Sequence, residues 1–421
     1  MLEAVRNLFR IPELRKRLLF TLFVVAIYRL GAHIVVPGVD TVALQNFVAQ
    51  QQKLGGLFGF VDLFAGGALS EFAVFALGIM PYITASIIMQ LMTVVIPRLE
   101  QLSKEGEAGQ KKINQYTRYL TVGLALIQSS ALVITFNKAG VIKNMSGLNV
   151  ALIIITLVAG TTLIMWLAEL ITENGIGNGM SIIIATSIIS QLPVASLNTV
   201  RISGSLTFLV VLVLMIVVTA AIVATELGQR KIPVQYAKRI VGRKVYGGQM
   251  TYIPLKINQA GVIPIIFAVS VMMIPNIIIG FFPGTAFAAA VNTYLKPTSW
   301  VYMSMYTLMI VGFAYFYTAV TFNPIDIAEN IQKYGGFIPG VRPGRPTAQY
   351  LDNILTRMTL PGAIFLALIA LIPTIIFNTM NVSFFKDIGG ISLLIVVGVA
   401  LESMRQLEAQ LAMRNYEGFF S

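Results

Sequence analysis

The chain has 421 residues, of which 56% are hydrophobic and only 11% are charged, and its mean hydropathy is +0.79. A soluble protein of this length needs many more charged side chains on its surface, so the composition excludes soluble domains and favours a helical bundle in a bilayer. The chain has no cysteine, which excludes disulfides, thiolate metal sites and thiol nucleophiles. The net charge of +12 fits either nucleic acid or a membrane surface, and the placement of the charges must decide between them.

Ten apolar runs approach the length of roughly 20 residues that a helix needs to cross a bilayer. No small-residue cleavage site follows the first run, so we expect no cleavable signal peptide. The sequence therefore predicts an all-α membrane protein with ten transmembrane helices. These spans begin near Leu18, Phe75, Tyr119, Val150, Met180, Leu206, Ala260, Val301, Met358 and Ile391.

The loops predict the orientation of the spans. Most of the 30 lysines and arginines lie at the N-terminus, in the even-numbered loops and at the C-terminus. By the positive-inside rule, both termini and these loops are cytoplasmic. The net charge of +12 then mainly reflects the orientation of the spans. Ribosomal RNA lies on the same cytoplasmic side, so this charge is also compatible with a nucleic-acid partner.

Few ionisable residues fall within the spans: Arg29, Glu169 and Glu402 are the candidates. Ion-coupled transporters usually carry buried carboxylates or histidines along the ion path. The single histidine, His33, lies near the outer end of the first span, where a structural or interfacial role is favoured over catalysis.

The segment 57–72, LFGFVDLFAGGALSEF, precedes the second span and is too short and too interrupted to cross the membrane. Asp62 and Glu71 flank a Gly66-Gly67 hinge. Non-helical backbone survives at membrane depth only inside protein or in a wet cavity. Two interpretations stay open: a movable piece in a cavity that opens to the outside, or an outer loop that lies on the surface.

The ten spans also show signs of a five-plus-five repeat. The second span opens with Gly78-Ile-Met-Pro81 and the seventh with Gly261-Val-Ile-Pro264, while Gly179 and Gly390 open the fifth and tenth. Because five is odd, the halves 1–200 and 201–421 must have inverted topologies, and interrupted helices at matching positions mark a substrate path. The alternative is that glycine and proline are simply common in membrane helices.

Several isoleucines near these openings share a helix face. Ile79 and Ile83 are one turn apart, as are Ile184 and Ile188, and Ile263 lies on the same face as Ile266. With Ile395 they would form an apolar collar where the halves meet. For any one of them alone, ordinary packing or lipid contact is the competing interpretation.

Two cytoplasmic loops are larger than a tight connection requires, which favours docking surfaces. The loop 226–258 is rich in lysine and arginine and includes Arg243 and Lys244, and the loop 323–357 presents Arg342 and Arg345 on a Gly- and Pro-rich turn. Anionic lipid is the competing partner for the first loop. The sequence contains no HExxH, Walker or GxSxG motif, so we predict no enzyme activity, cofactor or metal site.

The motifs along the chain resemble the SecY family, the central channel subunits of bacterial protein translocases. The matching stretches are GIMPYITASIIMQL from Gly78, KEGE from Lys104, ITENGIGNGMSIII from Ile171, YAKR from Tyr236, GGQMTYIPLKINQAGVIP from Gly247, GGFIPGVRPG from Gly335 and GGISLLIVVG from Gly389. They extend from the first half of the chain to its last span, and several are long and specific.

The resemblance implies a clamshell of two inverted five-helix halves around a central pore. It places the pore ring on Ile79, Ile83, Ile184, Ile188, Ile266 and Ile395. It places a plug on the segment 60–72, including Phe60, Asp62, Phe64, Gly66, Gly67 and Glu71. A lateral gate between spans two and three and spans seven and eight would carry Gln90, Gln128 and Asn258.

The resemblance also implies the partners: the small subunits SecE and SecG, the motor ATPase SecA, the ribosome, preproteins with signal sequences, and membrane lipid. Arg243, Lys244, Arg342 and Arg345 would face the motor or the ribosome. The location would be the bacterial inner membrane. A secondary transporter with an inverted repeat is the main alternative, and it predicts a polar midplane site that the sequence lacks; a membrane-embedded enzyme and a structural scaffold are weaker alternatives.

Overall fold

A computed structural model describes residues 11–54, 57–142, 146–236, 239–241, 244–246, 250–282, 285–296, 299–380 and 389–417. A helix lies at each of the ten positions where the sequence predicts a span. The described part also contains a three-stranded sheet and a two-stranded hairpin.

The N-terminal part is helical throughout its regular structure. Its helices are α1 Pro12–Gly31, α2 Thr41–Leu54, α3 Leu57–Ala65, α4 Met80–Val95, α5 Pro97–Lys104, α6 Glu107–Lys138, α7 Gly147–Asn174 and α8 Gly179–Ser203. Gly204, with φ of 85°, separates α8 from the next helix, close to the predicted boundary between the halves.

The C-terminal part adds strands to its helices. Its elements are α9 Ser205–Leu227, β1 Gln229–Tyr236, β2 Arg239–Val241, β3 Lys244–Tyr246, β4 Met250–Lys256, α10 Ile263–Phe281, α11 Ala286–Tyr294, α12 Trp300–Thr321, α13 Pro324–Lys333, β5 Gly336–Phe337, α14 Arg345–Met380 and α15 Gly389–Glu417.

Six described helices are long and apolar enough to cross a membrane: α6, α7, α8, α9, α12 and α14. A seventh span forms if α4 and α5 are counted together, although they meet at a bend of 100°. The bend has a local cause, because Pro97 keeps Ile96 out of the helical region, at φ −99° and ψ 113°. The chain is therefore a multi-pass membrane protein, and the count of ten spans stays a prediction.

The two matched openings of the repeat have the same backbone geometry. Gly78 and Gly261 have φ of 55° and 60°, a region in which a side chain would be strained. The next residue, Ile79 or Val262, has φ and ψ of −93° and −1° or −86° and −9°, and the helix then begins with proline in its first turn. The two Gly-X-X-Pro motifs thus encode the same backbone turn and helix start at two places, as a repeat requires.

The two halves meet along α10, which packs against α4 and α6 of the N-terminal part. Phe267 on α10 is buried in the same apolar core as Ile87 on α4 and Ala125 on α6. On the other side of the bundle, α15 packs against α8 and α9. The core is thus continuous across both halves rather than divided between them.

The three-stranded sheet joins the two large loops of the C-terminal part. β1 pairs antiparallel with β4, with Ile232 opposite Ile253, and its other edge pairs with β5, with Gln235 opposite Phe337. Because β5 lies in the second loop, the two loops form one unit. Ile232 and Leu255 of the sheet are buried with Leu351 of α14 in a core separate from that of the bundle.

Candidate pore, plug and gate

The predicted pore ring lies within one apolar cluster. Five of its six isoleucines are buried, and Ile266 is half-buried and packs against the same cluster. They come from four helices, α4, α8, α10 and α15, so residues from both halves contribute. The structure therefore brings the ring candidates into one core, as a constriction requires, and the closed ring itself stays a prediction.

The segment before α4 lies inside the protein and not on its surface. Phe64, Ala65, Leu69 and Phe72 are buried in the same cluster as the ring isoleucines. Phe72 has φ of 47°, the one non-glycine residue with positive φ in the described part of the chain. Of the two interpretations of this segment, the surface-lying loop is therefore wrong.

The Gly66-Gly67 pair ends α3. Gly66 and Gly67 have φ of 68° and 89°, and their N–H groups donate to the carbonyls of Leu63 (3.2 Å) and Asp62 (3.0 Å). This positive-φ ending is a common way to terminate a helix, and glycine adopts it without strain. The predicted hinge is a helix cap that turns the chain back towards α4.

The side chain of Asp62 fixes the turn that follows. Its Oδ1 accepts from the backbone N–H of Ser70 at 2.9 Å, and its Oδ2 accepts from the Ser70 hydroxyl at 2.5 Å. Burial raises the pKa of Asp62 above its usual range, and the two hydrogen bonds from Ser70 act in the opposite direction. The carboxyl thus closes a compact loop between α3 and the chain that leads to α4.

Four side chains from α1 and α8 hold the end of α3. Arg29 donates to the carbonyl of Gly66 at 2.9 Å, and Gln191 donates to the carbonyl of Asp62 at 3.1 Å. The Tyr28 hydroxyl lies 2.6 Å from the Ser187 hydroxyl and 3.4 Å from the carbonyl of Ala65. We call this group, Tyr28, Arg29, Ser187 and Gln191, the plug latch. Of these four residues, the sequence pattern singles out only Arg29, as a charge within an apolar run.

A second set of contacts holds the C-terminal end of the segment. Glu71 lies 2.9 Å from Nδ1 of His33, and Nε2 of His33 lies 3.4 Å from Arg29. The backbone adds two bonds, from Val36 N–H to Phe72 (3.0 Å) and from Val74 N–H to Ile34 (2.8 Å). These contacts are consistent with the structural role predicted for His33.

The predicted gate residues Gln90 and Asn258 each have hydrogen-bond partners within their own half. The Asn258 amide donates to Glu226 at 2.7 Å and to the carbonyl of Gly261 at 3.0 Å, so its partners lie in its own half. Gln90 donates to Ser86 of its own helix at 3.3 Å. Gln90 and Asn258 therefore have separate hydrogen-bond partners in this conformation, and their place in a lateral gate stays a prediction. Gln128 lies half-buried on α6, one of the helices at the seam.

The docking candidates are only partly described. Arg342 and Arg345 are exposed beside the start of α14, where the Arg342 carbonyl accepts from Thr347 at 2.8 Å. Arg243 and the side chains of Phe60 and Lys244 lie outside the described residues. The described arginines therefore belong to the loop that pairs with β1 through β5.

Fold and site together define a multi-pass helical membrane protein whose N- and C-terminal parts share one apolar core, with the end of the short helix α3 buried in it. A family model named SecY matches residues 73–404. The chain is 49% identical over 436 residues to a protein translocase subunit SecY of Streptomyces scabiei and 44% identical over 443 residues to that of Mycobacterium tuberculosis, each over the whole of both chains. The chain belongs to the SecY family.

Solved structures share the fold. A protein-conducting channel matches with a TM-score of 0.67 at 18% identity, over 96% of both chains. Sec61 in a canine ribosome-channel complex from the endoplasmic reticulum matches with a TM-score of 0.64 at 17% identity, again over 96% of both chains. These likenesses support the architecture, and the family membership rests on the sequence matches.

Proposed function

We propose that the chain is a protein-conducting channel, which passes unfolded secretory polypeptides across the membrane and releases hydrophobic segments sideways into lipid. The proposal rests on one observation: the ring isoleucines from both halves and the plug segment share a single apolar cluster at the junction of the halves. Aliphatic side chains offer a passing chain no hydrogen bonds that would trap it. A narrow apolar constriction also resists ion leak because it dewets.

In this proposal the chain has ten spans, arranged as two inverted five-helix halves that form a clamshell. The paired Gly-X-X-Pro openings of α4 and α10 support the repeat, since their backbone geometry is the same. The lateral gate lies where α10 packs against α4 and α6. A hydrophobic signal helix would leave between these helices, with each leucine contributing about −0.5 kcal/mol on the insertion scale.

We place the protein in the bacterial inner membrane with both termini and the three-stranded sheet in the cytoplasm, because of the excess of lysine and arginine on that side. The sheet and its exposed arginines would receive the SecA motor or the ribosome; the related Sec61 is in a ribosome-channel complex. SecE and SecG are the expected small membrane subunits. Energy would come from the motor or the ribosome, so the chain itself is not an enzyme.

The alternative, a secondary transporter, is not favoured. It requires a polar or ionised site near the membrane midplane. The polar groups of the plug latch are instead bonded to backbone carbonyls of α3 and the residue after it.

Crosslinking tests the proposal. A photoreactive amino acid replaces Ile83 in the ring, and a matched one replaces Ile155 on α7, which is exposed on the outside of the bundle. A preprotein is then stalled in mid-translocation. We expect the Ile83 probe to crosslink to the preprotein and the Ile155 probe to crosslink to lipid. Equal labelling by the two probes, or no labelling at Ile83, would refute a path through the ring.

A further inference from the structure

A cavity of about 620 Å³ lies between the base of the three-stranded sheet and the side of α14. Its volume is within the range of about 300–1,000 Å³ that is typical of small-molecule sites. Its lining includes Arg230, Ile257, Arg357, Met358 and Pro361. It belongs neither to the ring nor to the plug latch.

The polar side of this cavity is basic. Arg230 stands at the start of β1 and Arg357 on α14, and both are exposed. No lining residue is acidic, and the ion pairs seen in the described part of the chain involve neither arginine. Two cations that line one cavity give it a positive potential, which favours a negatively charged group there.

The cavity also has apolar lining residues, and an exposed apolar face continues from them along α14. Ile257, Met358 and Pro361 line the cavity, and α14 then exposes Leu360, Ile364 and Leu368 by 46%, 47% and 53%. These three residues are four apart and so lie on one helix face. At 1.5 Å per residue, the face extends about 12 Å from Leu360 to Leu368. α14 is one of the six helices that are long and apolar enough to cross a membrane, so an exposed apolar face on it is suited to contact acyl chains.

We propose that the cavity binds an anionic phospholipid, with the phosphodiester between Arg230 and Arg357 and an acyl chain along Leu360, Ile364 and Leu368. The basic end and the apolar track match the two ends of such a lipid. A zwitterionic lipid would bring its own cation next to the arginines, and a free phosphate would leave the apolar floor exposed. The bound lipid would hold the base of β1, and with it the whole sheet, at the membrane surface.

The test uses the full chain with its membrane subunits in phosphatidylcholine nanodiscs that contain a small fraction of photoactivatable phosphatidylglycerol. A parallel sample carries photoactivatable phosphatidylcholine. We expect phosphatidylglycerol to label α14 in preference to phosphatidylcholine. Labelling should fall about fivefold in R230Q and in R357Q, which is the contribution of one basic residue to the binding of anionic lipid near a membrane surface. It should fall about 25-fold in the double variant, because the two contributions multiply.

Two variants control for unrelated effects. R98Q removes an exposed arginine from α5 and lowers the net charge equally, so labelling should be unchanged. M358W fills the apolar floor without altering charge and should lower labelling while the circular dichroism spectrum stays that of the wild type. Three results would overturn the proposal: equal labelling by both lipids, full labelling of the double variant, or crosslinking of the cavity to another protein chain. Displacement of the label by millimolar glycerol phosphate would reduce the site to a free phosphate site and would also overturn it.

Discussion

At the scale of single residues, Arg29 shows how this chain places a charge within an apolar run. Its guanidinium donates to the carbonyl of Gly66, just past the C-terminal end of α3, where backbone carbonyls lack helical partners. A cation is also favoured there by the helix dipole. The same interaction that satisfies Arg29 therefore holds α3 in place.

The plug latch should set how firmly the segment 60–72 is seated. Arg29→Met removes a hydrogen bond from a charged donor, worth about 1.5–3 kcal/mol, and Gln191→Leu removes a neutral one, worth about 1 kcal/mol. We expect both variants to raise ion leak through reconstituted bilayers, because each 1.4 kcal/mol lost raises the fraction of channels with a displaced segment about tenfold. The leak should therefore be larger for Arg29→Met than for Gln191→Leu.

Arg201→Met is the matched control, because Arg201 is exposed in the last turn of α8, about 15 Å along the helix from Gln191. Its conductance should equal that of the wild type. If Arg29→Met leaks no more than Arg201→Met, the latch does not hold the segment.

Asn258 and Gln90 should differ in their effect on the gate. Asn258→Leu removes two hydrogen bonds at the entry of α10, each worth about 0.6 kcal/mol in a membrane. Freeing α10 lowers the cost of moving it away from α4 and α6, so a signal with about two fewer leucines should suffice for export. Gln90→Leu loses only a bond within α4 and should shift this threshold by less than one leucine. The measurement is export over a graded series of signal sequences, and equal shifts for the two variants would contradict this account.

At the scale of elements, the sequence predicts what is encoded locally. Gly78-Pro81 and Gly261-Pro264 are short patterns with a direct backbone consequence, and they have the predicted matching geometry. The pairing of β1 with β5 could not be predicted, because about 100 residues separate the strands and β5 is only two residues long. The partners of Asn258 were missed for a similar reason: Glu226 is 32 residues away and lies at the end of another helix.

Because β1, β4 and β5 form one sheet, the two docking loops should act as one surface. Reversing charge with Arg342→Glu should slow association of the motor or the ribosome about tenfold at low salt and less at high salt. The variant should fold normally because Arg342 is exposed. Lys244→Glu in the other loop should have a similar effect.

The control for this prediction is Lys112→Glu, an exposed residue on α6 with the same change in net charge and no place in the sheet. Binding and translocation are measured with each variant. If Arg342→Glu and Lys112→Glu slow association equally, the effect is one of net charge, and the loops are not a specific docking surface.

At the scale of the whole molecule, the apolar core of the bundle includes the predicted constriction. The halves share one cluster, to which α4 and α8 contribute from one half and α10 and α15 from the other. A channel of this kind must seal when idle and yet open for a passing chain. A buried apolar junction seals the channel by excluding water, and contacts between aliphatic side chains separate without the loss of a hydrogen bond.

The ring assignment makes the most direct prediction. Replacing four isoleucines from four helices by glycine should raise ion conductance above the wild-type level, because the constriction widens and wets. The variant carries glycine at Ile83, Ile184, Ile266 and Ile395.

Each glycine also weakens its helix by about 1 kcal/mol, so destabilisation alone must be excluded. The matched control carries glycine at four buried isoleucines on α7, α9, α12 and α14, namely Ile153, Ile222, Ile310 and Ile369. It suffers the same loss of helix propensity and of buried apolar surface, but it leaves the constriction intact. We expect the ring variant to conduct and the control to stay closed in the same planar bilayers. Equal conductance in the two variants would mean that loosening the bundle anywhere opens it, and these isoleucines would then have no special place in the pore.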